Sequence, residues 1–387
     1  MPLPQGRSGQ LYVKKEAAYG VEETLAAANA MRHINRGSWS DLPFNKENSP
    51  EKNPSPGIFT RFARRAELNY SGLQGIIRPG GALNTLPECD PFLEAAFGSK
   101  TNVTLATTVS SSPTTTGATV ASAGALAVGD AVLLEVTGQA NSPFVRVLTG
   151  VAGAALTWSP ALPAAQTVGD DVKGGITYKF TSLLSISLTI AHYLSNFEQE
   201  LVGAGVDSFE LALDANAEPT FTVGGPGRQL LDASTTPAIQ TQPVGFTTVG
   251  GNPPSGLIGQ AYIDDTLYLI KSLGVSFTNS LEARNNEYGV SLATELNRNG
   301  LREVPVTLEA WAETPATLYN KTKAGSLVEI LVQTGRTEGN IVAVYMPSVD
   351  VQPPEQDDPD ENVNWSFSGA AIESAAGAND ELKIALL

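Results

Sequence analysis

The chain has 387 residues, 42% apolar and only 17% charged, with 37 Gly, 25 Pro and a formal charge of −16. That length allows two or three domains with real cores, and the Gly, Pro, Ser and Thr content points to many short strands, a mainly β fold. Acidity spread along the chain leaves no basic stripe for nucleic acid or anionic lipid, the single cysteine, Cys89, excludes an intrachain disulfide and a cysteine-rich metal site, and no apolar run of about 18 residues provides a helical membrane span.

The start, "MPLPQGRSGQLYVKKEAAYG", has no apolar h-region. No signal peptide is expected, and the chain is expected to be made in a reducing cytoplasm. Residues 1–57 are expected to form an extended N-terminal arm. Within it only Glu22–Arg32 has short-helix character, and "LPFNKENSPEKNPSPG" is too rich in Pro and Asn for a core element. Order is expected to return at Ile58. "FTRFARRAELNYSG" reads as extended strand, and "PECDPFLEAAFG" as a short helix with Asp90 as N-cap, Pro91 at the first position and Gly98 closing it.

Composition then shifts. Lys100 to Lys173 is nearly uncharged and dense in Thr, Ser, Ala, Gly and Val, and "AVGDAV" (Ala127–Val132) recurs as "TVGDDV" (Thr167–Val172). Gly before Asp suits a turn, with "VLLEV", "FVRVL" and "ALTWSPAL" as strands between the two. Residues 101–173 are therefore expected to be an inserted small β-module, a decoration on a larger domain.

"SLLSISLTI" (Ser182–Ile190) alternates Leu184, Ile186, Leu188 and Ile190 with Ser185, Ser187 and Thr189. Period two predicts a strand, and its polar face carries only short hydroxyls. "QELVGAGVDSFELALD" and "PTFTVGGPG" follow as strands, then a turn-rich spacer from Leu230 to Gly259. In the last third, "REVPVTLEAWAE", "SLVEILVQT", "NIVAVYMPSVDV" and "NVNWSFSGAAIE" read as strands. "TPATLYNKTKAG" reads as a helix capped by Thr314, begun by Pro315 and stopped by Gly325. Strand, helix, strands thus occurs twice, at Arg64–Ser71 with Asp90–Phe97 and at Glu303–Trp311 with Thr314–Ala324. The repetition favours a duplicated fold. Residues 58–100 plus 174–259 would form one domain, and 260–387 a second one or the second half of one.

Chemistry is sparse. His33 and His192 are the only histidines, with nothing in the spacing to bring a carboxylate or serine to either. "GGPGRQ" (Gly224–Gln229) lacks the Lys-Ser/Thr end of a phosphate loop, and a hairpin turn is favoured over nucleotide binding. The acids Glu355, Asp357, Asp358, Asp360 and Glu361 lack the Gly and distal Glu of a calcium loop and read as a solvated loop. No catalytic, metal or cofactor site is assigned, and the chain is not expected to be an enzyme.

"KKEAAYG" (Lys14–Gly20), "PFLEAAFG" (Pro91–Gly98), "TIAHYLSNFEQELVGAGVDSFELAL", "NNEYG…REVPVTLEAWAE" and "MPSVDVQPPEQDDPDENVNWSFSGAA" resemble the major tail tube proteins of long-tailed bacteriophages and related prophages. The likeness covers most of the chain outside 101–173. It implies a β-sandwich or half-barrel with flanking short helices, self-assembled into stacked rings around a channel for DNA ejection. It also implies a virion location and, as partners, other copies of the chain, a tape measure protein, and tail terminator and distal tail proteins. DNA would pass the lumen without specific binding, and the hydroxyl face of Ser185 and Ser187 is a candidate wall. One fold per chain gives six chains per ring, two give three, and three is favoured. An adhesin or carbohydrate-binding module, a tail sheath protein and a capsid decoration protein are the alternatives.

Overall fold

The structure is a computed structural model that describes residues 8–42, 46–48, 50, 52, 54, 61–63, 67–194, 197–235, 237–285, 287–311, 317–354 and 364–387. Its first stretch comprises β1 (Gln10–Lys15), β2 (Ala30–Met31), β3 (Ser38–Leu42), β4 (Lys46–Asn48), β5 (Arg61–Ala63), β6 (Glu67–Ile76), α1 (Asp90–Phe97) and β7 (Gly98–Asn102). Six strands follow: β8 (Ala106–Ser111), β9 (Gly117–Val120), β10 (Ala131–Leu134), β11 (Phe144–Ala152), β12 (Ala155–Ser159) and β13 (Asp171–Gly174). Then come β14 (Ile176–Phe180), β15 (Leu188–Leu194), β16 (Phe197–Ala204), β17 (Ser208–Asp214), β18 (Thr220–Gly227) and β19 (Gln229–Leu231). The last stretch holds β20 (Gln260–Ile263), β21 (Thr266–Tyr268), β22 (Ile270–Thr278), β23 (Leu281–Arg284), β24 (Glu295–Arg298), β25 (Val304–Trp311), α2 (Thr317–Lys323), β26 (Val328–Thr334), β27 (Val342–Val351), β28 (Asn364–Ala371) and β29 (Lys383–Leu386).

The mainly β class expected from composition is what the chain adopts. The largest sheet runs β21-β20-β26-β27-β28-β25-β22-β17-β18-β6-β3, with β14, β29 and β7 attached beside β27. A second sheet runs β19-β16-β15-β1-β2, and β4–β5 and β23–β24 are separate hairpins. The inner face of the large sheet is apolar because Phe209, Leu211 and Leu213 alternate with exposed residues, as do Val304, Val306 and Leu308. Helix α1 lies beneath that face. Phe97 stacks on Phe180 at 4.7 Å between ring centroids and meets Phe277 edge-on at 5.3 Å, and Phe92 sits 6.2 Å from Phe221. Gly98 ends the helix as expected, at φ 86°, its N–H bonded to the Glu94 carbonyl. Asp90 does not cap it. Its carboxylate instead takes Lys100 Nζ at 2.6 Å and the Tyr178 hydroxyl at 2.8 Å.

The nearly uncharged stretch closes into a six-stranded barrel, β10-β11-β12-β9-β8-β13. Its two echoed sequences form one turn used twice. Gly129 (φ 88°) and Gly169 (φ 101°) make each bend, and Asp130 and Asp170 each accept the amide three residues earlier, Ala127 at 2.9 Å and Thr167 at 2.8 Å. Chain enters and leaves the barrel through neighbours, since Asn102 of β7 pairs with Ile176 of β14. The barrel core is not separate. It is continuous with Tyr262, Leu331, Ala343 and Tyr345 of the large sheet, and the buried Arg146 guanidinium lies 4.2 Å from the Tyr262 ring centroid.

One pairing order occurs twice. In the first half it is β2-β1-β15-β16, then β18-β6-β3; in the second it is β21-β20-β26-β27-β28-β25-β22. Chain order runs in parallel: a hairpin, a strand (β3 or β22), a detached hairpin (β4–β5 or β23–β24), a strand (β6 or β25), a helix, and then β15, β16 and β18 or β26, β27 and β28 in turn, with β7, the barrel, β14 and β17 added in the first half. The Cα partners coincide. Ser38↔Ser71 and Leu42↔Glu67 match Gly274↔Thr307 and Thr278↔Glu303, with the same spacing between partners. Both central hairpins carry a bulge at the same place, between Leu188 and Ile190 and between Val328 and Ile330. The opening strands even share residues, "GQLYV" (Gly9–Val13) and "GQAYI" (Gly259–Ile263).

Several local expectations change. Gln10–Lys15, inside the expected arm, is an inner strand between β15 and β2, with Leu11, Tyr12 and Val13 buried. Burying those three apolar residues in a row on both faces is what a mid-sheet strand requires. Gly224–Gly227 is neither phosphate loop nor hairpin turn but the end of β18, where a side chain on Gly225 would strike the Gly205 carbonyl. Thr314, Pro315 and the acids from Glu355 to Glu361 lie outside the described residues.

Candidate functional site

The outer face of the seven-strand run β28-β25-β22-β17-β18-β6-β3 is open. Across it, Ser366, Glu309 and Ser272 stand in register, as do Ser368, Thr307 and Gly274. The rows continue onto β17 as Asp214 beside Ser272 and Ala212 beside Gly274, and then as Glu210 beside Thr222 and Gln74. Asn69, Ser71 and Ser38 complete the far edge. These side chains are short, neutral or acidic. Glu210, Asp214 and Glu309 are the carboxylates of these rows, and the ammonium at the face, Lys271, sits at one end with Nζ 4.8 Å from the Trp311 ring centroid. Among the described residues, such a surface offers phosphates hydroxyls and like charge, with a single ammonium at one end to attract them.

The hydroxyls of "SLLSISLTI" have another use. The strand begins only at Leu188, and Ser187 and Thr189 are buried. They donate to the buried Glu16 carboxylate, Ser187 Oγ at 2.5 Å and Thr189 Oγ1 at 3.0 Å. The Gly20 and Gly203 amides each add a bond at 2.7 Å. A carboxylate taken out of water needs donors on each lone pair, and short hydroxyls reach it without bulk. The channel-wall expectation is therefore corrected for Ser187, which serves the core, while Ser185 is exposed on an irregular segment before the strand.

This carboxylate explains "KKEAAYG". Glu16 holds the turn, Gly20 takes φ 66°, and Arg228 Nη1 donates to the Gly20 carbonyl. A side chain on Gly20 would meet Arg228 Cδ at 2.2 Å. Arg228 Nε also donates to the Ala293 carbonyl at 3.0 Å, tying this turn to the β23–β24 hairpin. Burial pushes the neighbouring Tyr19 hydroxyl up to about 12, with Arg228 opposing.

The two histidines converge, which their sequence positions gave no sign of. The His33 and His192 ring centroids lie 5.7 Å apart, edge to face, and Trp39 stands 6.5 Å from His192. Burial, then the Arg36 charge, then His33 hold His192 down to about 4. Arg36 is engaged elsewhere, with Gln199 at 2.9 Å and over the Trp39 and Phe197 rings. Among the described residues, no three His, Cys, Asp or Glu side chains lie together where they could hold a metal ion. No helix there is long and apolar enough to cross a membrane.

A search of curated proteins found no match. A family model described as phage tail tube protein matches residues 6–371, nearly the whole chain and both halves of the repeated order. The chain belongs to the phage tail tube protein family and is a structural component of the phage tail.

Proposed function

We propose that three copies of the chain close into a ring, each supplying two copies of one tube fold, and that rings stack into the conduit through which DNA leaves the particle. The open face of short hydroxyls and carboxylates carries the conduit reading, because a wall that DNA must slide along cannot hold its phosphates. The pairing order that occurs twice supports the number three, since two units per chain give a ring of six similar units. Residues 101–173 are an insertion in the first unit, between two strands that already pair. A tape measure protein would fill the bore before ejection, terminator and distal tail proteins would close the ends, and DNA would pass without specific contacts. We assign the chain no enzymatic role, in keeping with its structural family.

Electron cryo-microscopy of the purified, concentrated protein tests this. Tubes or rings with three chains and six similar lobes are expected. A chain that stays solitary and folded at high concentration overturns the assembly, and six chains per ring overturns the duplication.

A further inference from the structure

Within one chain, the two units meet at a seam. Strand β22, the outer strand of the second unit, pairs along its free side with β17, and β17 pairs in turn with β18 of the first unit. The counterpart of β22 in the first unit is β3, by the matched partners given above. Strand β3 pairs with β6 on one side, and among the described residues it is the last strand of the sheet on the other. The counterpart of β18 is β28. Its Gly369–Ala371 end pairs with β27 and its whole length with β25, and among the described residues no strand borders Asn364–Phe367 on the other side. The chain therefore ends its open-faced sheet on two backbone edges that are the unsatisfied halves of a seam it already contains once.

We infer that the β3 edge of one copy lies against the Asn364–Phe367 edge of the next copy, repeating between chains the β22–β17–β18 seam within each chain. The inference rests on the ring reading above and names the surface that closes the ring. The two edges are complementary by construction, because their counterparts are already joined in the same sheet. Their own satisfaction is the driving force, since an open edge presents unpaired N–H and C=O groups to any partner strand. Self-pairing inside one chain is excluded by distance, as six strand spacings, about 29 Å, separate the edges. Ser38 and Asn364 mark the edges, because their counterparts Gly274 and Thr220 stand in one row across β17 at Ala212. Both are exposed on the open face, so cysteines there would come together only across copies.

The test is Ser38→Cys with Asn364→Cys in the full-length chain, whose own Cys89 is buried. Assembled tubes would be treated with an oxidant, or with a bis-maleimide that alkylates two thiols across two strand spacings, about 10 Å, and run on a denaturing gel. Covalent species up to three chains are expected from the double variant and none from either single variant. Joining by oxidant means direct pairing of the edges, and joining only by the longer reagent means that one strand intervenes as β17 does; both support the seam. Tubes that form but give no covalent species overturn the seam while leaving the ring reading intact. Should the double variant fail to assemble, amide exchange on the unmodified protein decides. Protection gained at Ser38–Leu42 and Asn364–Phe367 on assembly is expected, and edges that exchange equally fast in tubes and monomers overturn the inference. Failure of the unmodified protein to assemble at all would instead remove the ring reading.

Discussion

Glu16→Ala is expected to be among the most damaging single changes outside the apolar core. The substitution removes the acceptor of four donors, the Ser187 and Thr189 hydroxyls and the Gly20 and Gly203 amides. Hydroxyls can rotate toward other acceptors, but the two amides are fixed by their turns. A buried donor left without a partner costs about 1–3 kcal/mol, so the two amides alone put the loss at about 2–6 kcal/mol. Glu16→Gln keeps the shape and one acceptor oxygen while setting an NH2 against the other two donors, and is expected to cost about half as much. Urea denaturation gives the overall loss, and native-state amide exchange at Gly20 and Gly203 locates it. An alanine variant within about 1 kcal/mol of the parent, with both amides still protected, would refute this account of the motif.

Three further outcomes are expected. Burial, opposed by the Gln240 hydrogen bond and reinforced by the Glu22 and Glu16 charges, pushes the Glu200 carboxyl up to about 7. The folded state thus holds this proton more tightly than the unfolded chain, so the associated stability is complete below about pH 4 and disappears as pH rises through 7. Glu200→Gln should gain on the parent at pH 8 by up to about 3 kcal/mol and match it near pH 4, and an equal difference at both pH values in denaturation midpoints would count against it. Excising 103–174 and joining β7 to β14 by a tight turn should give a chain that aggregates, because it uncovers Tyr262, Leu331, Ala343 and Tyr345; adding Tyr262→Ser and Leu331→Thr should recover soluble protein, and a soluble, well-folded simple excision would show that the barrel does not cover them. Thr307→Lys with Ser368→Lys, neighbours on the open face, should leave tubes intact and slow DNA release several-fold, less so at high salt; unchanged release would move the channel wall elsewhere.

How far the sequence was legible depended on the range of the signal. Period-two alternation in "DSFELALD" and "REVPVTLEAW" located β17 and β25, and Gly98 located the end of α1, because each of those signals is local. The echoed Gly-Asp turns were visible for the same reason, and the charge-poor composition between them marked the barrel. What failed was long-range. Residues 10–15 looked like part of an arm because six residues cannot announce a partner strand far along the chain, yet β15 lies beside them. Hydroxyl alternation in "SLLSISLTI" was seen correctly and given the wrong neighbour, since nothing in its own spacing reveals the Glu16 carboxylate. A hydroxyl-rich open face does exist, but it is assembled from isolated Ser and Thr residues on separate strands of the large sheet, none of which is unusual alone. The histidine pair was hidden in the same way.

The pairing order that occurs twice also says where the chain should be strong. The two units share one apolar cluster, running from Leu11 and Tyr70 through Phe277 and Val306 to Ile384. Arg228 of the first unit reaches Ala293 of the second, and the barrel, inserted in the first, packs its Arg146 on Tyr262 of the second. Tyr12, the counterpart of Tyr262, is covered by Phe246 of the following spacer, at 5.8 Å between centroids, with its hydroxyl donating to the Gly245 carbonyl at 2.9 Å. Each unit's equivalent tyrosine thus has its own cover, and in the second unit that cover comes from the first. Units so interlocked have no independent core on which to unfold separately. Monomeric protein is therefore expected to show a single calorimetric transition whose van't Hoff and calorimetric enthalpies agree, and Arg146→Ala should lower its midpoint without splitting it. Two resolved transitions, one assignable to each half by amide exchange, would show that the halves are neighbours on one chain rather than a single folding unit.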